Sequence, residues 1–152
     1  MRTRLTLAMF LLGYTTMAQN LTTNNMNTME TVSPNIFVED MQATIAFYEV
    51  LGFKVITTVP DEKNPLFAMM ACGAVTFMFQ TFASIENTLP MVSRNKGGSL
   101  LLYIKVKNIR ALFEKIKSKV IVLHGLEKTF YGATEFSIQD NNNYMLTFAE
   151  DE

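Results

Sequence analysis

Apolar residues recur along this chain at two different spacings, and the switching between them organises everything from residue 33 onward. After Pro34, Ile36 to Val38 reads as a short strand. Asp40 stands where a helix cap is wanted, and Met41, Ile45 and Tyr48 follow on one face of a helix predicted to reach Leu51. Gly52 ends it at the position where a left-handed residue costs least. "FKVITTV" is β-branched and strand-like, and "LFAMMA", a turn at Cys72-Gly73 and "VTFMFQTF" add two more strands.

The second half runs through the same order. "LLLYIKV" is a strand, Asn108 a cap, and Ile109, Leu112, Phe113 and Ile116 form one helix face; "KVIVL", "TEFSIQ" and "YMLTF" are three strands. A shift of 68 superposes Ile36 on Ile104, Val38 on Val106, Asp40 on Asn108 and Ala43 on Ala111. A shift of 69 superposes Phe67 on Phe136, Met69 on Ile138 and Phe79 on Phe148. The pattern predicts an α+β domain of two tandem βαβββ modules, about 33–83 and about 99–150, within one domain spanning 33–152. Neither half alone has enough helix to cover its sheet.

Asn141, Asn142 and Asn143 sit between the last two predicted strands. Asparagine tolerates left-handed backbone and bonds to its own main chain, so the run marks a hairpin turn and not an amide-rich site.

Residues 1–18 break the pattern: two arginines, an apolar run of about ten residues and a Thr-Met-Ala ending have the form of a secretory signal, with cleavage expected after Ala18. The run is about half of what a membrane span needs, so no stable membrane anchor is expected after cleavage. Residues 19–32 are polar and read as a flexible leader. The protein is therefore expected to be exported, periplasmic or extracellular. Loss of Arg2 and Arg4 takes the formal charge from -1 to -3. Neither value gives a footprint for nucleic acid. A single cysteine, Cys72, excludes an internal disulfide framework, and its place beside Gly73 suits a small partly buried residue better than a nucleophile.

The stretch "SPNIFVEDMQATIAFYEVLGFKV" resembles the opening of vicinal oxygen chelate domains, the glyoxalase, bleomycin-resistance and extradiol dioxygenase superfamily. "FYGATEFSIQDNNNYMLTFAE" is similar to the closing stretch of the same superfamily, where an aromatic-Gly pair precedes an E-F strand, a turn of D-P-x-G type and a last strand. The resemblance runs from about Ser33 to Glu150. It implies two modules whose strands form a curved open sheet around a cup, usually in a homodimer.

It also implies where a metal would sit. Metal-dependent members place one ligand early in the first strand and one on the last strand of each half. Those positions fall here on Ser33, Met78, Leu101 and Thr147. None of the four offers a carboxylate or an imidazole, and the chain has one histidine, so no metal and no other cofactor is expected. That histidine, His124, lies in a stretch that reads as a loop and suits the solvated surface better than a base at a ligand. The cup is expected to be lined by Phe67, Phe79, Tyr103, Phe130, Tyr131 and Phe148, with Asn35 as a polar contact and Glu135 holding either a ligand amine or a loop. Met69 and Phe136 are further candidates, and eleven methionines and twelve phenylalanines supply adaptable apolar walls.

The leading expectation is an exported, metal-free protein that binds a small, partly aromatic or hydrophobic molecule, as bleomycin-resistance proteins do. A glyoxalase-type lyase or isomerase, or a dioxygenase, is the enzymatic alternative. A non-catalytic dimerisation module is the third.

Overall fold

The computed structural model describes residues 30–151 other than 87, 88, 90, 94 and 96. The signal-peptide reading of 1–18 and most of the leader reading of 19–32 lie outside the described residues. Residues 32–152 form one compact unit.

Each half is a βαβββ module. The first comprises β1 (Asn35–Val38), α1 (Met41–Val50), β2 (Lys54–Val59), β3 (Phe67–Cys72) and β4 (Val75–Thr81). The second comprises β5 (Leu101–Lys105), α2 (Ile109–Ile116), β6 (Ile121–Lys128), β7 (Ala133–Gln139) and β8 (Met145–Asp151). The sheets have the orders β1-β4-β3-β2 and β5-β8-β7-β6, with the first strand of each parallel to the last. Asn35 faces Met78 in register, and Tyr103 faces Thr147 at the positions that the two sequence shifts make equivalent. The repeat is therefore structural as well as textual.

Side chains alternate across a strand, so one face of each sheet meets the helices and the opposite, more open face carries the exposed and half-buried side chains, together with the buried small ones Ser137, Thr147 and Ala149 in the second sheet. Ile36, Val38, Ala68, Met70, Phe77 and Phe79 are buried on the helix face of the first sheet, and Leu102, Ile104, Phe136, Ile138, Leu146 and Phe148 on that of the second. Around Tyr48 the core is aromatic: its ring centroid lies 5.6 Å from that of Phe53, 5.7 Å from Phe77 and 4.6 Å from Phe79. Pairs of this kind add about 0.5–1.5 kcal/mol each beyond the area they bury.

The helix starts differ. Asp40 caps α1 as expected, accepting from Ala43 N at 2.9 Å. Asn108 does not cap α2; it takes a left-handed conformation, φ 59°, with no side-chain cap bond. Glu150, from β8, does that work instead, accepting from Asn108 N at 2.6 Å and Ile109 N at 3.0 Å. A carboxylate at a helix start satisfies orphan N–H groups and favours the dipole.

The asparagine turn does more than reverse the chain. Asp140 Oδ1 accepts from Asn142 N and Tyr144 N at 2.8 Å each, and Asn143 takes the left-handed position at φ 66°. The other oxygen, Oδ2, accepts from Tyr48 Oη of α1 at 2.9 Å. Asn142 and Asn141 both donate to Thr44 Oγ1, and Thr44 in turn donates to Asp40 O at 2.7 Å. These bonds clasp the last turn of the second module onto the helix of the first. They also explain why Thr44 is fully buried, although the periodicity assigned that face to Ile45.

Candidate functional site

Strand parity separates the sequence-predicted lining residues into two groups. Phe79 and Phe148, 0% and 3% exposed, lie on the helix faces, as does Phe136. This corrects the expectation that Phe79 and Phe148 line the cup: each is one residue out of phase with the open face, and the helices seal it into the core. Asn35, Phe67 and Met69 fall on the open face of the first sheet, where Asn35 Nδ2 donates to Gln80 Oε1 at 3.2 Å. Phe37 shares that face and stacks on Phe82, at 6.2 Å between centroids, from the 3-10 helix Phe82–Ile85 that follows β4.

The open face of the second sheet carries more chemistry. Tyr103 on β5 and Glu135 on β7 project to the same side, and Tyr131 comes from the turn before β7. Tyr103 Oη and Tyr131 Oη both donate to Glu135 Oε1, the latter at 2.8 Å. The bond to Glu135 pushes the Tyr103 phenol up to about 12 and the Tyr131 phenol upward as well, because losing either proton would set a phenolate against a carboxylate. Tyr103 and Tyr131 are nonetheless about half exposed, and Phe130, edge-on to Tyr131 at 5.0 Å, is fully exposed.

Two residues that sequence reasoning missed stand beside them. Lys105, two positions along β5 from Tyr103, pairs with Asp151 of β8 and holds its ammonium 5.7 Å from the centre of the Tyr103 ring. The period-2 pattern contains the signal for Lys105; the approach of Asp151 depends on strand pairing. His124 is corrected too. It lies in β6, not in a loop, exposed and in register with Ser137.

A cavity of about 420 Å³ opens beside the start of α2, between Asn108, Arg110, Thr134, Glu150 and Asp151, the partner of Lys105. It contains none of the predicted site residues. The Asn108 and Ile109 N–H groups there are already taken by Glu150, so the open-face cluster is the better candidate.

Comparison with known proteins decides the family. The model of the glyoxalase/bleomycin resistance protein/dioxygenase superfamily matches residues 28–148. The chain belongs to that superfamily. Solved members and neighbours share its fold at low identity. A protein of unknown function from Agrobacterium tumefaciens is 23% identical, with a TM-score of 0.68, over 84% of this chain and 98% of its own. A glyoxalase-related enzyme from Fulvimarina pelagi is 15% identical, with a TM-score of 0.66, over 81% and 89%. A bleomycin-binding protein, solved with bleomycin, is 19% identical, with a TM-score of 0.59, over 82% and 100%. No curated protein matches the chain.

The superfamily's metal positions can be tested against the residues present. Met78 and Thr147 lie on the open faces, each next to the first strand of its module, and Leu101 opens β5. The hydroxyl of Thr147 is buried against that of Ser137 at 2.9 Å. A thioether, a leucine and a hydroxyl already in a hydrogen bond do not suit a hard divalent ion, and Ser33 adds no carboxylate or imidazole. Among the described residues no three His, Cys, Asp or Glu side chains gather as a metal site requires.

Proposed function

We propose that this member of the superfamily is an exported binding protein that holds a small, partly aromatic molecule on its open face without a metal ion, and that it acts as a homodimer. The observation that carries the reading is the Tyr103–Glu135–Tyr131 cluster with Phe130 beside it: polar groups fixed by one another next to exposed aromatic surface. Ligand sites combine apolar walls with a few placed polar groups in this manner. The misfit of Ser33, Met78, Leu101 and Thr147 to a divalent ion supports the metal-free part, and the neighbour solved with bleomycin supports the ligand class. Export rests on the form of residues 1–18.

The test is a thermal-shift screen of the purified protein against neutral, cationic and anionic aromatic compounds, paired with elemental mass spectrometry after dialysis with added divalent ions. A ligand at a hundred times its Kd stabilises the native state by about 2.7 kcal/mol, so a binder raises Tm clearly. Retention of about one equivalent of metal per subunit, as a catalytic site would give, overturns the reading. So does a screen in which nothing binds. Intact mass of the protein recovered from the periplasm, starting at Gln19, checks export.

A further inference from the structure

We infer that the ligand presents a protonated amine to the Tyr103–Glu135–Tyr131 cluster. The inference rests on the binding-protein reading and specifies the chemistry of that same site.

It follows first from counting protons. A tyrosine hydroxyl has one proton, and both Tyr103 and Tyr131 direct theirs to the same oxygen of Glu135. The cluster therefore turns only acceptor lone pairs toward an incoming molecule: those of two phenol oxygens and of a carboxylate. A carboxylate, phosphate or carbonyl would meet acceptors with no hydrogen between. An ammonium brings three donors and the complementary charge, and its hydrogen bonds to an ionised carboxylate are of the strong kind.

The aromatic rings point the same way through a different interaction. The protein's own ammonium, that of Lys105, already lies 5.7 Å from the centre of the Tyr103 ring, within the range at which a cation is attracted to a π face. Lys105 is neutralised by its pair with Asp151, and no salt bridge among the described residues gives Glu135 a cation of its own. Phe130 and Tyr131, edge to face, form an apolar wall for the rest of the ligand.

Local charge is the third line. Glu127 on β6 is directly opposite Glu135 on β7. Like charges facing each other across a strand pair are destabilising, and side chains so placed approach to about 5 Å. With Asp151 and Lys105 included, the described strand residues of this face carry three carboxylates against one ammonium. An incoming cation relieves that repulsion, which a neutral molecule of the same shape does not.

The experiment is isothermal titration of the full chain with three probes of one shape: phenethylammonium, neutral 2-phenylethanol and anionic phenylacetate. The ammonium is expected to bind about tenfold or more tightly than the alcohol, with phenylacetate weaker than either. Its affinity should fall with added salt. E135Q should cost the ammonium about tenfold and leave the alcohol almost unchanged, which a merely structural role for Glu135 would not do, since both probes would then suffer alike. Y103F, which keeps the carboxylate, should cost a few-fold and serves if E135Q does not fold. Equal affinity for ammonium and alcohol overturns the inference while leaving the binding-protein reading intact. Failure of all three probes together with an empty thermal-shift screen overturns both.

Discussion

The Tyr48 hydroxyl is buried against Asp140, and replacing it by Phe would leave that carboxylate short of one donor while changing almost no volume. Y48F should therefore lower stability by about 1–3 kcal/mol, read as a lower urea midpoint at unchanged slope. Asp140 itself responds to pH. Burial raises its pKa above the ordinary 3.8, and the N–H groups of Tyr144 and Asn142 and the Tyr48 hydroxyl only partly offset this. With the folded value above the unfolded one, the native state holds more protons between the two. The contribution of Asp140 is thus fully present below 3.8 and is lost as pH rises through the folded value. Urea midpoints measured upward from pH 3.8 should show that loss in the wild type, and D140N should remove it from the profile. None of this was legible beforehand. Asp140 and Tyr48 each carry a recognisable motif, but nothing in two motifs 92 residues apart states that their side chains meet.

At the scale of elements, periodicity located the strands and both α-helices of the described residues, apart from the second half of β6, which reads as a loop, because alternation and 3.6-residue spacing are properties of neighbours in the chain. What it missed is set by partners far away. Asn108 looked like a cap because Asn is a good one, yet the α2 start is held by Glu150 from a strand 42 residues later. E150A should cost about 1–2 kcal/mol by freeing two N–H groups of α2. N108G should be neutral or slightly stabilising, because φ 59° suits glycine and the asparagine makes no cap bond. N108A keeps the strain and should lose about 1 kcal/mol. Denaturation of the three variants separates the two roles. The error over Phe79 and Phe148 is of the same kind: their aromatic character was visible, but the choice between two faces of a strand depends on which side the helix covers. Tyr103 and Glu135 do stand on the open face, but what points to them in the sequence is the family resemblance and not strand parity, which only the register of β5, β7 and β8 supplies.

On the scale of the whole molecule, the repeat explains the two similar modules and the clasp explains why they act as one. Tyr48 and Thr44 on α1 meet Asp140, Asn141 and Asn142 on the β7–β8 turn, and the core around them is continuous from Ile36 to Phe148. The connection between modules is fitted to the same turn: a Cβ on Gly97, which has φ +74°, would meet Asn143 O at 2.7 Å. Backbone cannot withdraw as a flexible side chain would. G97A therefore combines left-handed strain with a clash and should destabilise by more than the roughly 1–2 kcal/mol that the conformation alone costs. If the clasp joins the modules, α1 and β7 should open together. Native-state hydrogen exchange should give their amides similar protection in the wild type, and Y48F or G97A should lower both by the same amount. Independent modules would behave otherwise: Y48F would loosen α1 and leave β7 protected. That outcome would reduce the clasp to a contact between two separately stable halves, whereas a joint fall would make the asparagine turn the point at which the second module fixes the first.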